Sequence, residues 1–594
     1  MCGIVGYIGC RQAQPILLNA LKHLEYRGYD SSGIAVNSNS IHIYKDKVRV
    51  GVLQEAAPVY PGTSGIGHTR WATHGEPSLV NAHPHCDCTG KIAVVHNGII
   101  SNYQTLKDQL IIEGHKFVSE TDTEVISHLI EKYYQGDIEK AVEASLEKLA
   151  GSYAIAVISA GDPQIIAAKN GSPLILGSGE RENMVASDVP ALLDYTDKVT
   201  YLEDGDVAII TQDQVRINNQ GKAVNRQDSK IGWSAEDVGK GGYEHFMLKE
   251  IREQPQVIRN ILLEPIYAAD TDFPLPPALS EGAQAVYIIA CGTSYHAGLI
   301  GKIIIEDLWG IPVRVDLASE VNHRERMIFV KDVIAITQSG ETADVLYAIK
   351  KLKRLDSHIL VITNVRGSSA SRLADRTIYT LAGPEISVAA TKSFLAELTA
   401  LYKLALSFPK LNSSLREKYD RELRLLPDHV LRLLDDDAQI ADCARFLSGY
   451  SNAFFIGRGI NHPIALEGAL KLKEISYIHA EGYAAGELKH GPFSLLQPEV
   501  PVIAIVIQDK TYDSMITNIK EVKARKAPVI AVAGDDDRVT EKLADMVIKV
   551  PVTAPLFSPL VNAVAVQLLA YYTAKYRGCP IDFPRNLAKS VTVE

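Results

Sequence analysis

The chain has 594 residues, 46% hydrophobic and 22% charged, enough for several domains of about 100–200 residues with a core in each. A formal charge of −10 and a pI near 6.0 give no electrostatic ground for binding nucleic acid or an acidic membrane surface. No apolar run approaches the roughly 18 residues of a membrane helix, no basic segment precedes the apolar N-terminal stretch, and seven scattered cysteines make no disulfide framework, so a reducing, cytoplasmic setting is expected.

Once the initiator methionine is removed, Cys2 carries an α-amine and a thiol on one residue. An α-amine with a pKa of about 7.7–8.0 is partly unprotonated near neutral pH, and it can take the thiol's proton directly or through one water. The alternative is a buried cysteine in a core strand over 2–8. Four polar clusters follow, each where a β-type run ends: His68-Thr69-Arg70-Trp71-Ala72-Thr73-His74-Gly75, Asn81-Ala82-His83-Pro84-His85, His96-Asn97-Gly98 and Glu120-Thr121-Asp122-Thr123-Glu124. Residues 92–95 read as a buried strand, after which Asn97 and Gly98 can point an amide and a backbone N–H at one spot, as an oxyanion requires. Arg70 is a fixed fork for a carboxylate, and Asp122 suits an ammonium. Taken singly, Asn-Gly is commonly a turn and an isolated Arg or Asp a solvated surface group.

His83, His85, Cys86 and Cys88 crowd one loop. Ligands this close in sequence rarely reach tetrahedral geometry, and no metal is expected there. Strands at 153–159 and 207–211 with helices at 102–113 and 123–134 predict an α+β sandwich of sheets covered by helices.

Gly, Ser and charge dominate 231–243, with Gly239-Lys240-Gly241-Gly242 at the centre, and the domain boundary is placed at 240. Beyond it, apolar runs at 285–290, 333–336 and 358–362 alternate with helical stretches at 297–308 and 342–353, the signature of parallel βαβ layers. The pattern repeats: Val333-Ile334-Ala335-Ile336 returns 169 residues later as Val502-Ile503-Ala504-Ile505, and Thr342 returns as Thr511. Two doubly wound subdomains are expected, at 241–430 and 431–594. The loop Thr337-Gln338-Ser339-Gly340-Glu341-Thr342 opens a helix and offers the hydroxyls, N–H groups and dipole that a phosphate needs; the alternative is a plain helix cap. Its copy at 507–511 has lost Ser-Gly and gained an acid, so only the first repeat is expected to bind phosphate. Cys291-Gly292-Thr293-Ser294 closes the first strand of the same subdomain.

On Cys2 and the four clusters, with Tyr26-Arg27-Gly28-Tyr29-Asp30-Ser31-Ser32-Gly33, the first 240 residues or so resemble the glutaminase domain of the N-terminal-nucleophile amidotransferases. The second half resembles the sugar isomerase domains. Glu467-Gly468-Ala469-Leu470-Lys471-Leu472-Lys473-Glu474, Glu481, Gly486-Glu487-Leu488-Lys489-His490-Gly491-Pro492 and Leu587-Ala588-Lys589-Ser590-Val591-Thr592-Val593-Glu594 make the whole chain similar to the isomerizing glutamine–fructose-6-phosphate aminotransferases.

The resemblance implies an N-terminal-nucleophile sandwich followed by two α/β doubly wound subdomains, acting on glutamine and fructose 6-phosphate as a homodimer, with neither pyridoxal phosphate nor metal. It makes Cys2 the nucleophile and gives Asn97 and Gly98 the oxyanion. Arg70, Trp71, Thr73, His74, His83 and Asp122 then surround the glutamine, and Thr293, Ser294, Thr337, Gln338, Ser339, Thr342 and Val388 the phosphosugar. His490 opens the ring, Lys589 forms the imine, Glu474 shuttles the proton and Lys471 assists. Thr337 stands where the family commonly has serine and keeps the hydroxyl, whereas Ala390, also at a serine position, lacks one hydroxyl contact to the sugar phosphate and leaves the detailed phosphosugar contacts open. The rival readings are a non-catalytic phosphosugar-binding regulator and an amidotransferase acting on a different phosphosugar.

Overall fold

The computed structural model describes residues 2–233, 236–264, 284–325, 330–408 and 410–592. By their contacts these fall into two units: the chain up to Gly239 together with Glu341–Ala343 and the tail from Ala588, and Lys240–Gly340 with Asp344–Leu587. Of the expected linker, residues 234 and 235 lie outside the described residues.

The first unit is built on an eight-stranded and a seven-stranded sheet. Gly3–Gly9 lies inside the first, antiparallel to Ser64–Arg70 on one side and Glu182–Ala186 on the other. In the second, Ile92–Ile100 pairs antiparallel with Gly151–Ser159. Alternation along these strands divides the core: Ala93, Val95, Ala154, Ala156 and Ile158 pack between the sheets with Ile4, Ile8 and Ile66, while Val94, Ile155 and Val157 face the other way, onto Ile126, Leu129 and Ile130. The helices Tyr103–Ile112, Glu124–Tyr133 and Ile138–Leu146 therefore cover the second sheet. Cys2 precedes the first strand rather than opening it, which frees its side chain from the strand's alternation.

The second unit holds two five-stranded parallel sheets with the same strand order, the second strand lying outside the first and the third, fourth and fifth following on the other side. The first sheet is made by Val286–Ala290, Val313–Leu317, Asp332–Ile336, His358–Thr363 and Arg376–Tyr379, the second by Asn452–Gly457, His479–Ala484, Val502–Ile505, Val529–Gly534 and Met546–Val550. The repeat extends beyond the strands. Gly292 and Gly459, at the turns after the two first strands, both have φ +54°, and the helices that follow, Gly292–Trp309 and His462–Ser476, end on left-handed caps at Gly310 and Tyr477.

One expectation is corrected here. Residues Pro555–Tyr576 are long and apolar enough to cross a membrane, yet 89% of an 18-residue apolar window within that stretch is buried inside the protein. Its polar residues are used inside: Asn562 Nδ2 donates to Asn461 Oδ1 (2.9 Å) and Gln567 Nε2 to the Thr391 carbonyl (3.2 Å). The helix Ser558–Tyr576 is a core element, buried on every face against helices such as His462–Ser476 and Ala438–Leu447.

Candidate active site

In the first unit Cys2, Arg70, Trp71, Thr73, His83, Asn97, Gly98 and Asp122 line one cleft, joined by His96, Thr121, Thr123 and Thr592. The strand ends bring them there, because Cys2, Arg70 and Asn97-Gly98 sit at or near the termini of strands from both sheets. The Cys2 thiol accepts a hydrogen bond from Trp71 N–H at 3.1 Å, and burial pushes its pKa up.

Asn97 Nδ2 points to the Cys2 carbonyl at 3.0 Å. Its orientation is set by His68, whose Nε2 lies 3.0 Å from Asn97 Oδ1 and 3.1 Å from the His96 carbonyl. Both partners are acceptors, so Nε2 carries the proton. Burial drives the His68 pKa down to about 3, keeping the ring neutral. Gly98 has φ +132°, and a Cβ there would stand 2.1 Å from the Ser152 carbonyl oxygen, so only glycine fits.

Arg70 spends guanidinium donors on the loop that follows it: Nη2 reaches the His74 carbonyl and, at 3.0 Å, that of Gly75. Asp122 accepts Ile100 N–H at 2.8 Å. The Thr123 hydroxyl sits between His83 Nε2 (2.8 Å) and His96 Nδ1 (2.9 Å), both rings buried and their pKa values lowered by that burial. His74 does not line the cleft; its ring stands edge-on to Tyr103.

In the second unit Thr293 Oγ1 donates to Glu467 Oε1 (3.1 Å), and Ser294 Oγ to Glu397 Oε1 (2.8 Å). Glu467 also takes His296 Nδ1 at 2.7 Å. One turn along the same helix, Lys471 Nζ is 3.6 Å from Glu467 Oε1 and 2.5 Å from Glu474 Oε2. Lys471 is only 1% exposed, so this is a buried charge chain and not a surface pair.

The phosphate-type loop is tightly closed. Gly340 N–H donates to Thr337 Oγ1 (3.3 Å), the Gln338 carbonyl accepts from Thr363 Oγ1 and Asn364 N–H, and Gly340 at φ +68° faces Ser368 with no room for a Cβ. Its counterpart in the second repeat is self-satisfied, Asp509 Oδ1 accepting both Thr511 N–H (2.7 Å) and Thr511 Oγ1 (2.6 Å). Val388 N–H donates to the Asp582 carbonyl (3.0 Å), placing the 385–392 segment against the chain near the tail.

His490 is exposed on the 3-10 stretch Ala485–His490, and among the described residues no hydrogen bond or ion pair joins it to Lys471 or Glu474. Lys589 is half-buried. Its tail groups with the first unit, where the Val591 carbonyl accepts Ala343 N–H (2.9 Å) and Thr592 lines the Cys2 cleft. Thr342 immediately precedes that segment's helix, Ala343–Lys353. Sequence reasoning missed His68, Glu467 and His296 as parts of the sites. Only their place inside dense polar motifs signalled them, since the partner of each lies 29 or more residues away.

The SIS domain family matches residues 281–407 and 446–575, and the glutamine amidotransferase domain family matches 70–194. The fold and the Cys2 cleft thus define a glutamine amidotransferase joined to a double sugar isomerase module. Over 100% of both chains the protein is 48% identical to the glutamine–fructose-6-phosphate aminotransferases (isomerizing) of Caldanaerobacter subterraneus subsp. tengcongensis and of Methanosarcina acetivorans. The solved C-terminal domain of the glucosamine-fructose-6-phosphate aminotransferase from Francisella tularensis is 38% identical with a TM-score of 0.55, covering 58% of this chain and 100% of that one. The chain belongs to the family of isomerizing glutamine–fructose-6-phosphate aminotransferases.

Proposed function

We propose that the chain carries out glutamine-dependent amination of fructose 6-phosphate, yielding glucosamine 6-phosphate and glutamate, with the following division of labour. In the first unit the Cys2 thiol, deprotonated by its own α-amine, attacks the side-chain amide carbon of glutamine. The charge that develops on the amide oxygen is met by Asn97 Nδ2 and Gly98 N–H. Arg70 and Asp122 hold the substrate's carboxylate and ammonium, with Trp71, Thr73 and His83 around it, while His74, expected there from the resemblance, lies outside the cleft. Thioester formation releases ammonia, and water then releases glutamate.

Thr293, Ser294, Thr337, Gln338, Ser339, Thr342 and Val388 take the phosphosugar. Ring opening falls to His490 and imine formation to Lys589. After ammonia has replaced the lysine at C2, Glu474 moves the proton between C1 and C2, its carboxylate steadied by the Lys471 ammonium. The homodimer and a reducing compartment are part of the same reading; seven free thiols fit the latter.

One observation carries the proposal: Cys2, Asn97, Gly98, Arg70 and Asp122 meet in a single cleft, and Thr592, three residues from Lys589, lines it too. Product analysis after incubation with glutamine and fructose 6-phosphate tests it. Equimolar glutamate and glucosamine 6-phosphate are expected. Glutamate with no amino sugar would refute the acceptor, and an amino sugar made only from another ketose phosphate would favour the rival substrate. Sedimentation at micromolar concentration decides the dimer.

A further inference from the structure

The four loop residues His83, His85, Cys86 and Cys88 do not form one cluster. His83 turns to Thr123, and His85 Nε2 to Thr121 Oγ1 at 3.1 Å. Cys88 instead meets side chains from two other elements. Its Sγ is 3.5 Å from His128 Nδ1 and 3.8 Å from His115 Nδ1, while Glu131 Oε2 is 2.8 Å from His115 Nδ1 and 3.2 Å from His128 Nδ1. The ligand atoms of all four lie within 4.8 Å of one another.

We infer that Cys88, His115, His128 and Glu131 form a structural site for one divalent transition ion, zinc by the softness of the donors. Zinc bonds of about 2.3 Å to sulfur and about 2.0–2.1 Å to nitrogen or oxygen imply tetrahedral edges of about 3.5 Å between sulfur and nitrogen and about 3.3 Å between nitrogen and oxygen. The sulfur–nitrogen separations of 3.5 and 3.8 Å lie at or just above their edge and the nitrogen–oxygen separations of 2.8 and 3.2 Å just below theirs, so small side-chain rotations suffice to close the four donors on an ion. One thiolate, two imidazoles and one carboxylate are a donor set zinc accepts, and four protein ligands leave no open position for substrate.

The supports are those that a metal site needs. Asp87 pins the turn bearing Cys88, accepting Lys91 N–H (2.8 Å) and Ile92 N–H (2.9 Å). His115 is placed by its N–H bond to the Leu110 carbonyl (3.0 Å) just after the helix Tyr103–Ile112. His128 and Glu131 share a face of Glu124–Tyr133 at i and i+3. Around the donors, Lys116 N–H points at Cys88 Sγ (3.3 Å), and the far nitrogen of His128 faces Glu124 Oε1 at 3.6 Å, the carboxylate–histidine arrangement that fixes a ligand's tautomer. His128 is buried whereas Cys88 is exposed, so the site is anchored at one end and open to an entering ion at the other. An ion there would tie two segments, the Cys88 turn and the His115 loop, to the helix that begins directly after Asp122 and Thr123 of the Cys2 cleft. The sequence reading weighed Cys88 only with its chain neighbours, whereas a metal selects donors by position in space.

The test uses the full chain, exposed to zinc and dialysed against metal-free buffer before elemental analysis, beside Cys88→Ser and, as a control thiol, Cys10→Ser. One zinc per chain is expected in the parent and in Cys10→Ser, and less than a tenth of that in Cys88→Ser. Cobalt in place of zinc should give the thiolate charge-transfer band and intense visible bands of a four-coordinate site, absent from Cys88→Ser, and zinc should raise the apparent Tm of the parent and of Cys10→Ser but not of Cys88→Ser. No retained metal in the parent overturns the inference. So does equal retention in Cys88→Ser, which would put the ion elsewhere, and so does loss in Cys10→Ser.

Discussion

His68 touches no substrate in the proposed mechanism, yet it decides which end of the Asn97 amide faces the nucleophile. Replacing it by alanine leaves Asn97 Oδ1 and the His96 carbonyl buried without their shared donor. Two such losses amount to about 2–4 kcal/mol of folding stability. They also release the amide to turn its oxygen toward Cys2. Removing one oxyanion donor costs about 10²–10³ in rate, or about 2.7–4 kcal/mol. Asn97→Ala should therefore lower the glutaminase kcat by that factor and set a ceiling. His68→Ala should fall part of the way, about 10- to 100-fold, and His68→Gln, which keeps an N–H donor, should recover most of it. Because one residue acts through the other, the double variant should be no slower than Asn97→Ala alone. Glutamate release gives the rates, and interconversion of fructose 6-phosphate and glucose 6-phosphate in the same samples reports the integrity of the second unit. Additive losses in the double variant would refute the argument, since His68 would then act on something other than Asn97.

Gly98→Ala, facing a carbonyl at 2.1 Å and a φ that L side chains avoid, should lower both Tm and glutaminase rate while sparing sugar-phosphate isomerisation; full glutaminase activity would remove Gly98 from the oxyanion role. Lys589→Arg should fold normally, keep glutaminase and lose both synthesis and the phosphosugar adduct trapped by borohydride. Lys471→Met should instead destabilise the second unit by about 3–5 kcal/mol, because the fully buried Glu467 and the half-buried Glu474 both lose their lysine partner. Stability should also depend on pH with a definite sign. His68 is held to about 3 when folded, and burial lowers His83, His85 and His96 as well. Between the folded value and about 6.5 the unfolded chain binds more protons. Thermal unfolding should accordingly show stability lost as pH falls below about 6.5, with a shallower slope in His68→Gln.

Much of the fold is visible in one dimension because its signals are local. The βαβ alternation and the 169-residue repeat depend on buried strands bounded by turns, and both five-stranded sheets follow that pattern with one strand order. The sandwich showed itself in short apolar runs such as Ile92 to Val95, whose two faces feed separate cores. Some element ends shifted by a residue, as with the helix expected from Thr123 that begins at Glu124, and others by five, as with the helix expected from 297 that begins at Gly292 and the strand expected to end at 95 that runs to Ile100, because element ends are settled by tertiary partners. The helix Ser558–Tyr576 resisted reading for a different reason. Its polar residues Asn562 and Gln567 interrupt the apolar text, and only the fold supplies the amide and carbonyl that satisfy them.

The sites divide along the same line. Cys2, Asn97-Gly98 and Arg70 stand out because their chemistry is carried by residue type at strand ends, whereas Glu467 acquires meaning only from Thr293 and His296, more than 170 residues away. Lys471 shows how far that context reaches. Its spacing to Glu474 reads as a solvated helix pair, and a lysine near a phosphosugar site is a natural second candidate for the imine. The structure argues against that use on electrostatic grounds. Burial alone would push the Lys471 pKa down, but the carboxylates of Glu474 and Glu467 more than reverse it, and the ammonium is held above its ordinary range. An amine must be neutral to attack a ketose carbonyl, so a lysine locked between two buried carboxylates is the wrong nucleophile and the right counter-ion. It stands 2.5 Å from Glu474 Oε2. That leaves imine formation to a lysine outside this charge chain, the part proposed for Lys589.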